Sequence, residues 1–299
     1  MIIVRLLGGL GNQMFQYATA KNLSLLNNTE LKIDLSGFDK KIYKSESAYR
    51  IFQLSIFKLN AEIATEEEIN AVKNSELPFF EKLKYRLLRQ NIPSYRKPEL
   101  YEKQLFNFDS DVLKATANAY LTGYWQSYKF FESIRSALLN DFEFSETPAK
   151  IQYEFIDKIH QQNSVSVHIR RGDYVSNPEY TKIHGVCSTD YYHRAIEYIC
   201  SKVENPAFYF FSDDMDWVKK NITVNNDCVY VTGTPAGKDF YEMYLMSICK
   251  HNIIANSSFS WWGAWLNKNT EKIVIAPKLW MADPTIDTTD LIPANWIRI

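Results

Sequence analysis

Two adjacent arginines, Arg170 and Arg171, stand directly after an apolar run at residues 165–169 and before Gly172 and Asp173. A planar guanidinium grips phosphate oxygens in pairs, so such a doublet suits a phosphorylated ligand. Carboxylates follow the next apolar run, in Ser212-Asp213-Asp214. Hydroxyls follow a later one, in Asn256-Ser257-Ser258-Phe259-Ser260. A carboxylate such as Asp213 can accept the N1–H and exocyclic amine of guanine, an edge that adenine does not present. If Ser258 and Ser260 open a helix, its free amides add partial positive charge for the same phosphates. Together these groups describe a nucleoside-diphosphate site without a Walker loop. Each also has a plainer role. The arginines could pair with Asp173 in an ion network, and the serines could be helix caps.

For these groups to meet, they must share a sheet edge. In the C-terminal half, extended runs at 165–169, 208–211, 229–231, 252–255 and 272–277 alternate with helical stretches near 149–161, 190–203, 215–221, 239–250 and 260–268. This alternation predicts a doubly wound parallel sheet. Ligands bind such sheets at the carboxyl ends of the strands, where the arginines, Asp213 and residues 256–260 fall. The N-terminal half opens with a strand at 2–7, a turn Gly8-Gly9-Leu10-Gly11-Asn12-Gln13, a helix near 12–26 and a strand at 31–35. That is a βαβ unit, although its turn does not match GxGxxG. Residues 60–150 are less legible. They hold an acidic helix start (Thr65-Glu66-Glu67-Glu68), a basic amphipathic stretch at 79–89 and an aromatic segment at 120–126. Ser145-Glu146-Thr147-Pro148 breaks the pattern, which gives two domains, 1–148 and 149–299.

Composition removes several classes of function. The 299 residues are 46% hydrophobic and 23% charged, which is the profile of a folded chain. Lys+Arg is 34 against Asp+Glu 35, so there is no basic excess for nucleic acid. No apolar run approaches the ~20 residues of a membrane span. Cys187, Cys200, Cys228 and Cys249 form no CxxC pair and read as reduced thiols. The start lacks a basic leader, so a cytoplasmic location is expected. Asp214-Met215-Asp216 has the form of a DxD metal motif, but Asp216 falls in a helix's first turn and the arginines supply positive charge. No metal site is expected. The basic face of 79–89 suits an anionic membrane surface, a peripheral contact at the inner face of the plasma membrane; the alternative is a solvated helix face.

His168-Ile169-Arg170-Arg171-Gly172-Asp173 resembles the HxRRxD motif of the α-1,2, α-1,6 and protein O-fucosyltransferases. Two longer blocks are narrower. They are Gly8-Gly9-Leu10-Gly11-Asn12-Gln13-Met14-Phe15-Gln16-Tyr17-Ala18 and Ile254-Ala255-Asn256-Ser257-Ser258-Phe259-Ser260-Trp261-Trp262-Gly263-Ala264-Trp265-Leu266. Both resemble the bacterial α-1,2-fucosyltransferases of glycosyltransferase family 11. Supporting matches are Gly123-Tyr124-Trp125-Gln126-Ser127, Phe211-Ser212-Asp213-Asp214-Met215 and Leu245-Met246-Ser247-Ile248-Cys249-Lys250-His251, so the resemblance covers nearly the whole chain.

The resemblance implies an α/β fold of GT-B type, two Rossmann-like doubly wound domains facing across a cleft, with the donor on the C-terminal one. It implies GDP-β-L-fucose as donor and transfer with inversion to the 2-hydroxyl of a terminal galactoside. The acceptor would be a galactose-terminated oligosaccharide or a lipid-linked glycan such as an O-antigen, and neither metal nor cofactor is required. Carried over by position, Arg170 meets the β-phosphate and Asn12 faces the reacting centre. His168 and Asp213 lie near guanine. Arg171, Asn256, Ser257, Ser258 and Ser260 serve the diphosphate, and Gly9, Gly11 and Gln13 line the donor. Asp34 and Trp125 fall on the acceptor side. Asp173 joins Asp34, Glu179 and His184 as candidate proton acceptors, with a departing phosphate oxygen as the alternative. Glu242 departs from the expected Asp and is left off the site. Two other readings stand beside this one: a transferase of another GDP-sugar, linkage or acceptor, and a non-catalytic sugar- or nucleotide-binding module.

Overall fold

A computed structural model describes residues 1–42, 49–145, 150–235 and 237–299, without the side chains of 150–153, 173, 176 and 180. The chain divides into two compact units, Met1–Ser145 with Thr289–Leu291, and Glu146–Thr288 with Ile292–Ile299. The boundary read from the sequence, 148/149, lies outside the described residues.

The first unit contains β1 (Ile2–Arg5), α1 (Leu10–Leu26), β2 (Leu31–Asp34), β3 (Glu62–Ile63), α2 (Glu66–Lys73), α3 (Phe79–Leu87), β4 (Glu99–Tyr101), β5 (Ala119–Thr122) and α4 (Arg135–Asp141). The sheet order is β3-β2-β1-β5-β4, with every pairing parallel. Ile2, Ile3 and Val4 are fully buried because both faces of a parallel sheet are covered, which is why β1 reads as an unbroken apolar run. The acidic start at 65–68 is a capping box. Thr65 Oγ1 accepts from the Glu68 amide and the Glu68 carboxylate accepts from the Thr65 amide. Thr289–Leu291 belongs here because Asp290 accepts from Lys129 Nζ at 2.5 Å and the Phe108 amide at 2.9 Å, and its carbonyl accepts from Ser127 Oγ at 2.7 Å. Nothing in the local sequence pattern signals that return.

The second unit contains α5 (Lys150–Gln161), β6 (Asn163–Ile169), α6 (Gly172–Ser176), α7 (Pro178–His184), α8 (Thr189–Cys200), β7 (Pro206–Ser212), α9 (Met215–Asn221), β8 (Cys228–Tyr230), α10 (Phe240–Ile248), β9 (His251–Ile253), α11 (Ser258–Leu266), β10 (Val274–Ala276) and β11 (Ile297–Arg298). Its sheet runs β11-β10-β9-β6-β7-β8, again parallel throughout. The five expected strands are present, and β11 adds a sixth that its two-residue length hides from any periodicity reading. Buried Asn252 ties the centre together. Its Nδ2 donates to Ser166 Oγ at 2.7 Å and to the Met246 carbonyl at 2.8 Å, and its Oδ1 accepts from Asn267 at 2.8 Å.

Candidate active site

The strand order fixes where a ligand can enter each sheet. In the second unit the chain leaves β6 toward β7 and β8, then crosses back to β9, β10 and β11. The reversal lies between β6 and β9, and a doubly wound sheet opens its crevice at that point. The loops leaving β6 and β9 carry Arg170-Arg171-Gly172 and Asn256-Ser257. The His168 and Phe259 rings lie 5.9 Å apart, one from each side of the reversal.

Arg170 Nη1 lies 2.8 Å from Asp213 Oδ2, and the Arg171 amide donates to Asp213 Oδ1 at 2.8 Å. Asp213 is therefore a clamp on the arginine loop, with both oxygens already engaged. The Arg170 guanidinium also sits 5.6 Å from the centre of the Tyr174 ring, which stacks on His184 at 4.8 Å. Arg171 is anchored differently. Its Nε donates to Asp214 Oδ2 at 3.1 Å and its guanidinium lies 3.7 Å over Trp217. The neighbouring arginines thus have unequal roles. Arg170 stays a third exposed and meets Asp213, whereas Arg171 is fastened to α9 through Asp214 and Trp217. Asp214 of the DxD-like triplet caps α9 by accepting from the Trp217 amide.

Burial, and then the positive charge of Arg170, hold the His168 imidazole at about 3, so this ring is neutral across the physiological range. Its Nδ1 is buried with no hydrogen-bond partner among the described residues. Helix α11 begins at Ser258 with no acidic residue in its first turn, and Ser257, its N-cap, makes no side-chain cap bond. The partial positive charge at that end of the helix suits an anion. Ser260 and Asn256 are less available than their motif suggests. Ser260 Oγ is buried against the Ser257 carbonyl at 3.3 Å. Asn256 Nδ2 donates to the carbonyls of His184 at 2.9 Å and Trp280 at 3.2 Å, and its Oδ1 accepts from Cys187. Asn256 holds the 184–187 loop; it is not oriented toward a phosphate. The side chain of Asp173 lies outside the described residues.

Glu242, left off the site in the sequence, has a perturbed carboxyl in the structure. Burial, joined by the charges of Asp239 and Asp213, pushes the Glu242 carboxyl up to about 7. This residue lies in the first turn of α10 and feels the charge of Asp213, the carboxylate that pairs with Arg170. The signal was present in the sequence as an acid in an otherwise apolar helix, Phe240–Ile248.

The first unit repeats the topology. Its order reverses between β1 and β5, and there Gln126 Nε2, in the loop after β5, donates to Asn12 Oδ1, in the first turn of α1, at 2.7 Å. Gly8 has φ +78°, and a Cβ there would lie 2.7 Å from Asn12 Nδ2, so a glycine is required for Asn12 to take this position. Gly9 is the N-cap of α1, and Gly11 lies within the helix. Three other expected positions are structural. Gln13 is fully buried, donating to the Gly8 and Ile51 carbonyls and accepting from the Gln53 amide. Asp34 is buried and receives the Tyr120 hydroxyl, the Ser36 amide and the Ser36 hydroxyl. Trp125 is 1% exposed and packs edge-on against Phe130 at 5.7 Å, which leaves no ring face for a sugar. The Glu102 carboxylate holds this loop by accepting from the Tyr124 and Trp125 amides.

Two doubly wound units in one chain are the frame of the GT-B glycosyltransferases, and this protein has that frame. Residues 1–299 match the family model described as Glycosyl transferase family 11, and the chain belongs to that family. It is a glycosyltransferase. It is 37% identical to an α-1,2-colitosyltransferase of Escherichia coli, over 100% of this chain and 99% of that protein. It is 33% identical to the O-antigen biosynthesis glycosyltransferase WbnK of Escherichia coli, over 98% of each. Similarity extends to the mouse galactoside 2-α-L-fucosyltransferase Sec1, at 25% identity over 89% of this chain and 64% of that protein.

Proposed function

We propose that the protein transfers L-fucose from GDP-β-L-fucose to the 2-hydroxyl of a terminal galactoside, with inversion, in the synthesis of a bacterial surface glycan. The observation that carries this reading is the placement of Arg170 and the N-terminus of α11 on either side of the β6/β9 reversal. As the bond from the sugar C1 to the phosphate breaks, an oxocarbenium-like centre forms and negative charge grows on the β-phosphate. A guanidinium and helix amides aimed there act most strongly in the transition state. Arg170 exchanges Asp213 for phosphate oxygens, while Asp213 keeps the loop in place through the Arg171 amide. These groups supply the positive charge, so the reaction proceeds without a metal.

The acceptor proton needs a destination. Asp34 is occupied by three donors and does not serve. Of the remaining candidates, His184 stacks on Tyr174 beside Arg170 and Glu179 lies in the first turn of α7. A phosphate oxygen of the departing GDP is the other acceptor.

A second donor is favoured by a specific similarity. The relative at 37% identity is named for colitose, which is fucose without its 3-hydroxyl. Product analysis settles donor, acceptor and metal need together. GDP-fucose and GDP-colitose are each mixed with lactose, lacto-N-biose or N-acetyllactosamine in the presence of EDTA. The expected product is an α-1,2-fucosylated galactoside. Transfer from GDP-colitose alone would move the reading to the second donor, and transfer only when a divalent ion is restored would overturn metal independence.

A further inference from the structure

Helix α3 is amphipathic in the reverse of the usual sense. Phe79, Leu83 and Leu87 recur at four-residue spacing, and Phe80 lies three and seven residues before Leu83 and Leu87, so the four share one face. A helix on a folded domain ordinarily turns such a face inward. Here Phe79 is 72%, Phe80 81% and Leu87 73% exposed, and no residue of the helix is buried. The half-buried side is the polar one, Glu81 and Tyr85, with Glu81 3.6 Å from Arg96.

Cations border the outward apolar face on both sides. Lys84 follows Phe80 by one turn and Arg86 follows Phe79 by two, with Arg89 just beyond the helix. Lys82 is paired with Glu76, but Lys84, Arg86 and Arg89 have no ion-pair partner among the described residues. No described helix is long and apolar enough to cross a membrane. We propose that α3 seats the first unit on the surface of an anionic lipid bilayer, with the Phe79, Phe80, Leu83 and Leu87 side chains inserted at the headgroup boundary and Lys84, Arg86 and Arg89 against the lipid phosphates. The fold supplies the helix in advance, so binding carries no cost of ordering it. The charge pattern argues against a second copy of the chain as the occupant. A two-fold contact presents the same patch from both sides and would bring the unpaired cations of each copy together.

The test is co-sedimentation of the full chain with vesicles of phosphatidylcholine alone or mixed with phosphatidylglycerol. Binding is expected with the anionic vesicles, falling as salt rises. The pairs Phe79→Ser/Phe80→Ser and Lys84→Glu/Arg86→Glu should each weaken it by about tenfold or more, while circular dichroism melting shows both variants folded. Three results would overturn the proposal. One is equal partition onto neutral vesicles or onto none. Another is full binding in both variants. The third is a concentration-dependent dimer in solution that Phe79→Ser/Phe80→Ser dissolves.

Discussion

A Cβ placed on Gly172 would lie 2.5 Å from Asp213 Oδ2, the same oxygen that meets Arg170 Nη1 at 2.8 Å. Residue 172 therefore has to be glycine for the carboxylate to hold the arginine loop, although the backbone there needs no left-handed geometry. Gly172→Ala should push Asp213 off Arg170 and lower turnover on the order of 10- to 100-fold, the scale of a small misplacement of a catalytic group. Steady-state kinetics with a melting control checks this. In an Asp213→Ala background the added methyl should cost nothing further, and a second full loss there would show that the two residues are not coupled in this way.

Trp125, expected on the acceptor side, is a core residue, 1% exposed. Its indole Nε1 has no hydrogen-bond partner among the described residues, so Trp125→Phe removes no bond and should keep the acceptor KM. Trp125→Ala should destabilise the first unit by about 3–5 kcal/mol. Thermal melting and acceptor titration separate the two effects. A raised acceptor KM in a stable Trp125→Phe protein would restore the sugar-contact role.

Glu242 predicts a pH dependence of stability. Its carboxyl is raised from 4.5 to about 7 in the folded chain by burial first, with Asp239 and Asp213 adding to it. The folded state thus keeps a proton that the unfolded chain gives up. That contribution is complete below about pH 4.5 and is lost as pH rises through 7. At about 1.4 kcal/mol per unit its upper limit is about 3 kcal/mol. Glu242→Gln keeps the neutral form at every pH. The melting temperature of the wild type relative to this variant should fall between pH 5 and 8, and a flat difference would contradict the buried carboxyl. His168 acts in the opposite direction, its contribution full above about 6.5 and lost as pH falls toward 3. It is common to both proteins and cancels in the comparison.

The frame was legible in the sequence because parallel strands buried on both faces appear as apolar runs, as at β1, β6 and β7, with amphipathic helices between them. That Arg170, Asp213, Ser257 and Ser258 fall just beyond the carboxyl ends of β6, β7 and β9 was legible for the same reason, because each follows closely on an apolar run. What sequence spacing could not show is how each polar side chain divides between holding a loop and facing a ligand. Gln13, Asn256 and Arg171 sit in or beside the motifs, yet their hydrogen bonds go to the Ile51 carbonyl, the Trp280 carbonyl and Asp214, partners that no local pattern points to. The burial of Asp34 has the same origin, since it is set by Tyr120 of β5, far away in sequence, whereas Trp125 turns inward against Phe130, five residues on. Strands β3, β4 and β11 have two or three residues each, too few for a period to register.

In the proposed reaction the Arg170 guanidinium neutralises the departing diphosphate. Turnover of purified Arg170→Lys with GDP-fucose tests it most directly, because lysine keeps the charge and loses the planar fork. A loss of roughly 10²–10³, close to that of Arg170→Ala, is predicted, the scale for removing one donor from a developing oxyanion. Near-normal turnover in Arg170→Lys would contradict the account.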